Sequence, residues 1–375
     1  MKTLRDTNVS NKKVLVRCDF NVPINETGEI LDDFRITQAL PTIKYLIEKN
    51  AKVILMSHLG EPEACLPVGV GKCDENLKLD NVAKKLSELL GVVVLKLDDC
   101  IEEKVKEKVE NLKIGEVILL ENLRFYKEET ENNENFAKEL SLLICPTEAP
   151  QSEGGCGIYI NEAFSVCHRN NASVSLLPNY LPACAGFLLE KEILNLNKVL
   201  GKSLSDGKET TGPMTAIIGG KKVETKSKFI NAMSEIADFV LIGDLLEKEI
   251  IEKNIVLNYP EKVFSAKDHL EDPTIEKETI RLFKEKILQS KIIIWNGPLS
   301  KTEKPEYAQG TLEIANAIID SKAFSVVGGG ETVEFLRNQG IIDSFSHVST
   351  GGGAMIAYLS GEVLPGIEAL KNSKL

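Results

Sequence analysis

Long apolar segments are absent from this chain of 375 residues. No run approaches the roughly 18–20 residues of a bilayer-spanning helix, and residues 1–10 lack the apolar core of a signal peptide. Basic side chains are outnumbered, 45 against 56 acidic ones, and the net charge of −11 argues against a nucleic-acid backbone as the main partner. We therefore expect a cytoplasmic protein that binds neither a membrane nor nucleic acid.

Zinc-site and disulfide patterns are also missing. The cysteines form no C-x-x-C pair, and the four histidines do not cluster with them at zinc-finger spacing. Without a signal peptide, cysteines in a chain of this size are typical of reduced thiols, and a disulfide framework is the less favoured alternative. We therefore predict reduced thiols at Cys18, Cys65, Cys73, Cys100, Cys145, Cys156, Cys167 and Cys184.

Short apolar runs alternate with longer segments of helical periodicity. This alternation predicts βαβ units and a parallel sheet, and because the runs lack polar alternation, helices should cover both sheet faces. The predicted strands cover residues 14–16, 52–56, 92–95, 116–120, 157–160, 214–218, 239–242, 291–295, 324–327 and 346–348. The predicted helices cover residues 38–49, 82–90, 101–109, 135–143, 225–234, 308–321 and 332–338.

The same rhythm occurs in both halves of the chain. We therefore predict an α/β protein of two doubly wound parallel-sheet lobes joined by a helical hinge at residues 186–197. The first lobe is expected over residues 1–180, with 360–375 packing back on it, and the second over 181–359. Residues 144–157, rich in proline and glycine, predict a surface loop.

Polar residues follow four predicted strands of the first lobe, where ligands bind in open α/β sheets. Arginine is scarce, with seven among the 45 basic residues, yet Arg17, Arg124 and Arg169 all follow strands. Arg35 is expected just before the helix that starts at residue 38. Guanidinium groups bind carboxylate and phosphate, so this set predicts a small, multiply charged anion as ligand. Structural ion pairs are the alternative.

Glycine clusters follow three predicted strands of the second lobe, at residues 219–220, 328–330 and 351–353. Each precedes a helical segment. Glycine lets a phosphate approach backbone N–H groups, and a helix N-terminus favours negative charge. One cluster could simply form a tight turn, but three predict a phosphate-binding lobe.

Long motifs in this chain resemble those of the phosphoglycerate kinase family nearly end to end. They include VLVRCDFNVP (14–23), SHLGEP (57–62), ENLRFYKEE (121–129), IIGGKKVETK (217–226), WNGP (295–298), VVGGGET (326–332) and STGGGA (349–354). The resemblance implies reversible phosphoryl transfer between 1,3-bisphosphoglycerate and MgADP, giving 3-phosphoglycerate and MgATP. It further implies a monomer that binds the triose in the first lobe and the nucleotide, with Mg²⁺, in the second, and closes during catalysis.

The resemblance also implies a role for individual residues. The triose-binding positions are Asp19, Asn21, Arg35, His58, Arg124 and Arg169. The nucleotide-binding positions are Lys222, Lys226, Asn296, Glu303, Gly328, Gly329, Gly330, Glu331 and Thr332, with Glu331 also at the metal. The catalytic positions are Arg35, Lys226, Gly352 and Gly353. Phosphoryl transfer asks mainly for positioning and charge neutralisation, so no general base is expected.

Four features depart from the family pattern. Glu61 stands where an arginine is usual: pointing inward it should weaken triose binding substantially, whereas pointing to solvent it costs only the missing cation. Glu331 replaces an aspartate, Asn171 replaces a histidine, and the 144–157 connection is long. These departures leave open the alternative that the chain is a phosphoglycerate kinase-like protein with altered or weakened triose specificity. A non-catalytic nucleotide-binding homologue is disfavoured by the retained lysines, arginines and glycine clusters.

Overall fold

The computed structural model describes residues 1–66, 73–145, 156–201, 212–220, 223–265, 275–302 and 304–373. It divides into an N-terminal unit, Met1–Lys191 with Leu364–Leu375, and a C-terminal unit, Glu192–Val363. The long helix over Phe187–Val199 runs from the first unit into the second.

Each unit contains one six-stranded sheet. The strands are β1 (Lys13–Arg17), β2 (Lys52–Met56), β3 (Val94–Lys96), β4 (Val117–Leu119), β5 (Ile158–Asn161), β6 (Ala183–Ala185), β7 (Met214–Ile218), β8 (Phe239–Ile242), β9 (Val263–Ser265), β10 (Ile292–Asn296), β11 (Phe324–Gly328) and β12 (His347–Val348). Their order is β3-β4-β2-β1-β5-β6 in the first sheet and β12-β11-β10-β7-β8-β9 in the second. Every pairing between these strands is parallel, which confirms the predicted fold class.

Helices connect these strands. They are α1 (Phe34–Glu48), α2 (Asp80–Leu90), α3 (Glu103–Glu110), α4 (Lys127–Thr130), α5 (Glu134–Leu142), α6 (Phe187–Val199), α7 (Val223–Ile236), α8 (Asp244–Glu252), α9 (Lys277–Gln289), α10 (Pro305–Ser321), α11 (Gly330–Asn338), α12 (Gly352–Leu359) and α13 (Pro365–Asn372). None that the described ranges contain is both long and apolar enough to cross a bilayer.

Burial and local capping explain where these elements form. The central strands β1, β2, β7 and β10 are almost entirely buried, because helices cover both faces of each sheet. Helix α2 ends at Gly91, whose φ of 71° lies in the left-handed region that glycine tolerates. Helix α5 begins after Asn133, whose side chain accepts hydrogen bonds from the backbone N–H groups of Asn135 and Phe136.

Several sequence predictions of element bounds need correction. Helix α1 begins at Phe34, four residues before the predicted start, so Arg35 lies in its first turn. The backbone carbonyl of Asp33 accepts the N–H of Thr37 and starts the helix there. Strands β6 and β9 were not predicted, because β6 consists of the small residues Ala-Cys-Ala and β9 is only half-buried. Strand β3 begins at Val94, two residues after the predicted start, because Val93 is 82% exposed.

The prediction of reduced cysteines is wrong for four of the eight. Disulfides join Cys65 to Cys73 and Cys145 to Cys156, with Cα–Cα distances of 5.1 and 4.4 Å. Each cross-link closes a short connection, a pairing that sequence spacing does not reveal. The second bond brackets most of the predicted 144–157 loop, whose residues 146–155 lie outside the described part of the chain. Cys18, Cys100, Cys167 and Cys184 are buried and take no part in these two disulfides.

Candidate functional site

The carboxyl ends of β4, β2, β1 and β5 adjoin one another in the first sheet because these strands are neighbours in it. Side chains that end or follow them therefore meet at one edge of the N-terminal unit, where Arg35 from the first turn of α1 joins them. We call this set the anion patch; its members are Arg17, Asp19, Asn21, Arg35, His58, Arg124 and Arg169.

Asp19 organises one side of the anion patch. Its Oδ2 accepts a hydrogen bond from Arg35 Nη1 at 2.9 Å and another from Ser165 Oγ, and its Oδ1 accepts the N–H of Asn21 at 3.0 Å. Burial alone would raise the pKa of Asp19, but the charge of Arg35 and these hydrogen bonds hold it below the ordinary value. Arg35 also donates to the carbonyl of Asn21 at 3.0 Å, so Asp19 and Asn21 fix the guanidinium together.

His58 lies near the Asp19–Arg35 pair and is 2% exposed. Its Nδ1 is 3.3 Å from Nη2 of Arg17, which can only donate. Burial, together with the positive charge of Arg17, lowers the pKa of His58 well below the ordinary value. Arg17 is held from its far side by Ser173 and Glu129, with Nε 2.8 Å from Ser173 Oγ. His58 is therefore neutral and presents its Nε2–H as a donor.

Arg124 forms the other side of the anion patch. It lies in a short 3₁₀ turn, Leu123–Phe125, and its backbone N–H donates to Oδ1 of the capping residue Asn122 at 3.1 Å. Its Nη1 donates to the carbonyl of Gly60 at 2.6 Å and lies 3.5 Å from Oε1 of Glu61. Burial and the nearby charge of Arg169 lower the pKa of Arg124. Arg169 itself is exposed, so the patch has both a buried and a solvated guanidinium.

The structure thus brings the six sequence-predicted triose positions to one edge of one sheet. Sequence reasoning missed Ser165, which donates to Asp19, and Ser57, whose Oγ accepts the N–H of Phe20 at 2.8 Å. It also left the contact between Arg17 and His58 unassigned. The position of Ser57 directly after β2 could have indicated it, whereas Ser165 lies four residues beyond the end of β5, in the short turn Phe164–Val166.

Glycine-lined strand ends form the corresponding edge of the C-terminal unit. Gly219 packs so closely on the 297–298 backbone that a Cβ there would lie 2.1 Å from the carbonyl oxygen of Pro298. Gly297 and Gly329 have φ of 91° and 96°, which side chains rarely tolerate. A Cβ on Gly352 would lie 2.8 Å from the Cα of Gly329. We call these closely approaching segments, 219–220, 296–297, 328–330 and 351–353, the glycine cradle.

Asn296 lies in the glycine cradle at the end of β10. It is 4% exposed, and its Nδ2 has no hydrogen-bond partner in the described part of the chain. A Cβ built on Gly329 would lie 3.3 Å from that nitrogen, and one on Gly352 would lie 3.5 Å from it. A buried, unpaired amide is costly, so this donor is suited to an anionic ligand in the cradle.

Lys226 supplies the cation of the glycine cradle. It is 8% exposed, and Cβ atoms built on Gly297 and Gly220 would lie 2.6 and 2.8 Å from its Nζ. Burial lowers the pKa of Lys226 to about 8, although the negative charge of Glu331 acts in the opposite direction. The absence of Cβ atoms at both glycines is what gives the ammonium group its room.

Glu331, Gly330 and Thr332 belong to the first turn of α11. Glu331 is exposed, whereas Thr332 is buried and its Oγ1 accepts the N–H of Gly297 at 3.0 Å. A cavity of about 600 Å³, a size typical of ligand pockets, is lined by Glu331 and by residues of α10 and α11.

Gly352 and Gly353 begin α12, with Gly353 exposed. The predicted positions Lys222 and Glu303 lie outside the described residues.

Metal-binding residues are sparse: no group of three or more His, Cys, Asp or Glu side chains suited to a metal ion occurs in the described ranges. Proteins usually bind Mg²⁺ through one or two carboxylates, and phosphate and water supply the other ligands. The exposed carboxylate of Glu331, close to the cradle, is suited to that role.

The chain is similar to known proteins along its whole length. The family model for phosphoglycerate kinase matches residues 4–256 and 245–362. Phosphoglycerate kinases of Dictyoglomus turgidum and Finegoldia magna are 40% and 38% identical to it, each comparison covering 98% of both chains. The crystal structure of phosphoglycerate kinase from Pyrococcus horikoshii matches with a TM-score of 0.82 at 30% identity, covering 100% of this chain and 99% of that one.

Proposed function

The chain belongs to the phosphoglycerate kinase family and is a phosphotransferase with a carboxyl group as acceptor. We propose that its anion patch binds the triose and that its glycine cradle binds MgADP or MgATP. The reaction of the family is the glycolytic transfer of a phosphoryl group between 1,3-bisphosphoglycerate and MgADP, giving 3-phosphoglycerate and MgATP. The observation that carries the assignment of the nucleotide is the cradle itself, with Lys226 and the unpaired Asn296 amide facing closely packed glycines.

In the anion patch, each predicted triose position either offers a hydrogen-bond donor or a positive charge to the ligand, or holds a residue that does. Arg35, Arg124 and Arg169 are cations that suit carboxylate and phosphate oxygens. Neutral His58 donates through Nε2, and Asp19 with Asn21 holds Arg35 in place. We assign to Arg35 the neutralisation of charge on the moving phosphoryl group, because it stands at the solvent side of the Asp19 pair with 32% of its side chain exposed.

In the glycine cradle, backbone N–H groups and the α11 and α12 N-termini suit phosphate oxygens. We assign the nucleotide phosphates to Lys226, Asn296, residues 328–330 and Thr332, and the transferred group to Lys226, Gly352 and Gly353. Lys222 and Glu303 remain parts of this proposal on the family resemblance alone. The attacking group is already anionic, so the chain needs no strong base and contributes positioning and charge.

Magnesium enters with the nucleotide as part of the substrate, and Glu331 is the residue that would contact it. The ion, when bound, neutralises phosphate charge during transfer. We further propose that the protein acts as a cytoplasmic monomer and that closure of the lobes accompanies turnover, as the resemblance implies.

A coupled assay of ATP-dependent phosphorylation of 3-phosphoglycerate tests this function. We expect activity that saturates with both substrates and that disappears when Mg²⁺ is chelated. Absence of turnover while MgADP still binds would contradict the proposal, because the nucleotide site would then exist without the triose reaction.

A further inference from the structure

Glu61 occupies a position that the reaction does not require. Its Oε1 lies 3.5 Å from Nη1 of Arg124, although its side chain is 84% exposed. Arg124 is the most buried of the arginines assigned to the triose, with 9% exposure. An anion of the chain therefore lies against a cation to which we assign an anion of the substrate.

The other carboxylates that pair with arginines of the anion patch behave differently. The acidic partners of Arg17 and Arg35 are 1% and 5% exposed, and each accepts further hydrogen bonds from Ser173 or Ser165. For Glu61 no such additional bond occurs among the described residues. Exposed ion pairs of this kind contribute little to stability. Glu61 is thus the one described partner in the patch that can leave its arginine at small cost.

The backbone around Glu61 is anchored on both sides. The N–H of Gly60 donates to Asn21 Oδ1 at 2.8 Å, and its carbonyl accepts from Arg124. The N–H groups of Cys65 and Leu66 both donate to the carbonyl of Phe125, at 2.9 and 3.0 Å. These bonds keep Glu61 beside the patch, so its side chain alone has to move when Arg124 changes partner.

We infer that Glu61 is a specificity-determining residue, an internal anion that occupies Arg124 in the free protein and competes with the anionic group of the triose for it. The inference rests on the proposed function of the anion patch. Competition of this kind acts on binding of the triose and leaves the transfer step unaffected. It should therefore raise the KM for 3-phosphoglycerate without changing kcat, and it should weaken as salt screens the charges.

The test compares Glu61→Gln with Glu63→Gln in the coupled assay at low ionic strength. Glu63 is exposed on the same loop and forms no ion pair among the described residues, so both variants lose the same charge. We expect Glu61→Gln to lower the KM for 3-phosphoglycerate roughly three- to fivefold at unchanged kcat, and Glu63→Gln to leave KM within about twofold of the wild type. Raising the salt concentration should reduce the difference.

Calorimetric titration of 3-phosphoglycerate without nucleotide, on the same three proteins, should give the same ranking of affinities. Equal effects of both substitutions, or a higher KM in Glu61→Gln, would overturn the inference and would make Glu61 a general surface charge or a support for Arg124. Failure of 3-phosphoglycerate to bind or react in all three proteins would instead contradict the proposed function.

Discussion

The candidate anion sites of the two units are built with different chemistry. In the N-terminal unit, arginines of the anion patch lie against carboxylates, as Arg35 does with Asp19 at 2.9 Å and Arg124 with Glu61 at 3.5 Å. In the C-terminal unit, closely packed glycines leave room for a buried lysine and an unpaired amide. The first arrangement depends on which side chains are present, and the second depends on which are absent.

This difference determines how each candidate site can be altered. A patch made of charged side chains is tuned by adding or removing one neighbour, as Glu61 illustrates. A cradle made of backbone tolerates no Cβ where segments touch, so it is sensitive to added volume at those glycines and to the charge of the buried Lys226. Substitutions that remove charge should therefore act gradually in the N-terminal unit, whereas loss of Lys226 or of a contact glycine should be severe.

The largest effect is expected for Lys226→Met. The methionine fills much of the same space but cannot neutralise the transferred group, so kcat should fall roughly 100- to 1,000-fold while the affinity for MgADP changes far less. Steady-state kinetics and nucleotide titration measure the two quantities. Lys228→Met is the matched control, because Lys228 is exposed on the same helix. An unchanged kcat in Lys226→Met would remove this lysine from the transfer step.

The next largest effect should distinguish alanine substitutions at two glycines of the cradle, Gly352 and Gly330. A Cβ on Gly352 would meet the Gly329 backbone at 2.8 Å, whereas a Cβ on Gly330 meets nothing within 4 Å. Gly352→Ala should therefore lower the free energy of unfolding by about 1–3 kcal/mol and weaken MgADP binding, and Gly330→Ala should leave stability unchanged or slightly higher. Denaturant unfolding and nucleotide titration of both variants would show it. Equal tolerance at the two positions would mean that the cradle does not depend on close backbone approach.

A smaller effect should appear in the pH dependence of kcat/KM for the nucleotide. Burial lowers the pKa of Lys226 to about 8, so its positive charge is present below that pH and is lost above it. The kcat/KM for the nucleotide should then fall by up to about tenfold between pH 7 and pH 9, since this quantity reports groups of the free enzyme. The arginines of the anion patch stay charged over this range, so the KM for 3-phosphoglycerate should hardly change. A flat nucleotide profile would contradict the assignment of a lowered pKa to Lys226.

The regular parts of both units can be predicted from sequence. Strands such as Met214–Ile218 and Phe239–Ile242 match the predicted bounds because buried parallel strands are continuously apolar. Strand β6, Ala183–Ala185, carries only three small residues and gives no such signal. Helix α1 begins before its apolar periodicity does, which is why Arg35 was expected outside it.

Other features of the site have no local sequence signal. The unpaired Nδ2 of Asn296 results from distant segments meeting, as does the contact between Arg17 and His58. The two disulfides depend on chain geometry that cysteine spacing does not determine. For Glu61 the sequence left two orientations open, and the structure combines them, since the side chain is 84% exposed and yet lies beside Arg124.

The division of labour between the two units is tested most directly by calorimetric titration of Arg124→Met. We expect the variant to bind 3-phosphoglycerate at least about tenfold more weakly than the wild type, because a charge-assisted contact is lost. Its affinity for MgADP should be unchanged, which would also show that the chain is folded. Unchanged binding of 3-phosphoglycerate, or an equal loss of affinity for both ligands, would contradict the assignment of the triose to the anion patch.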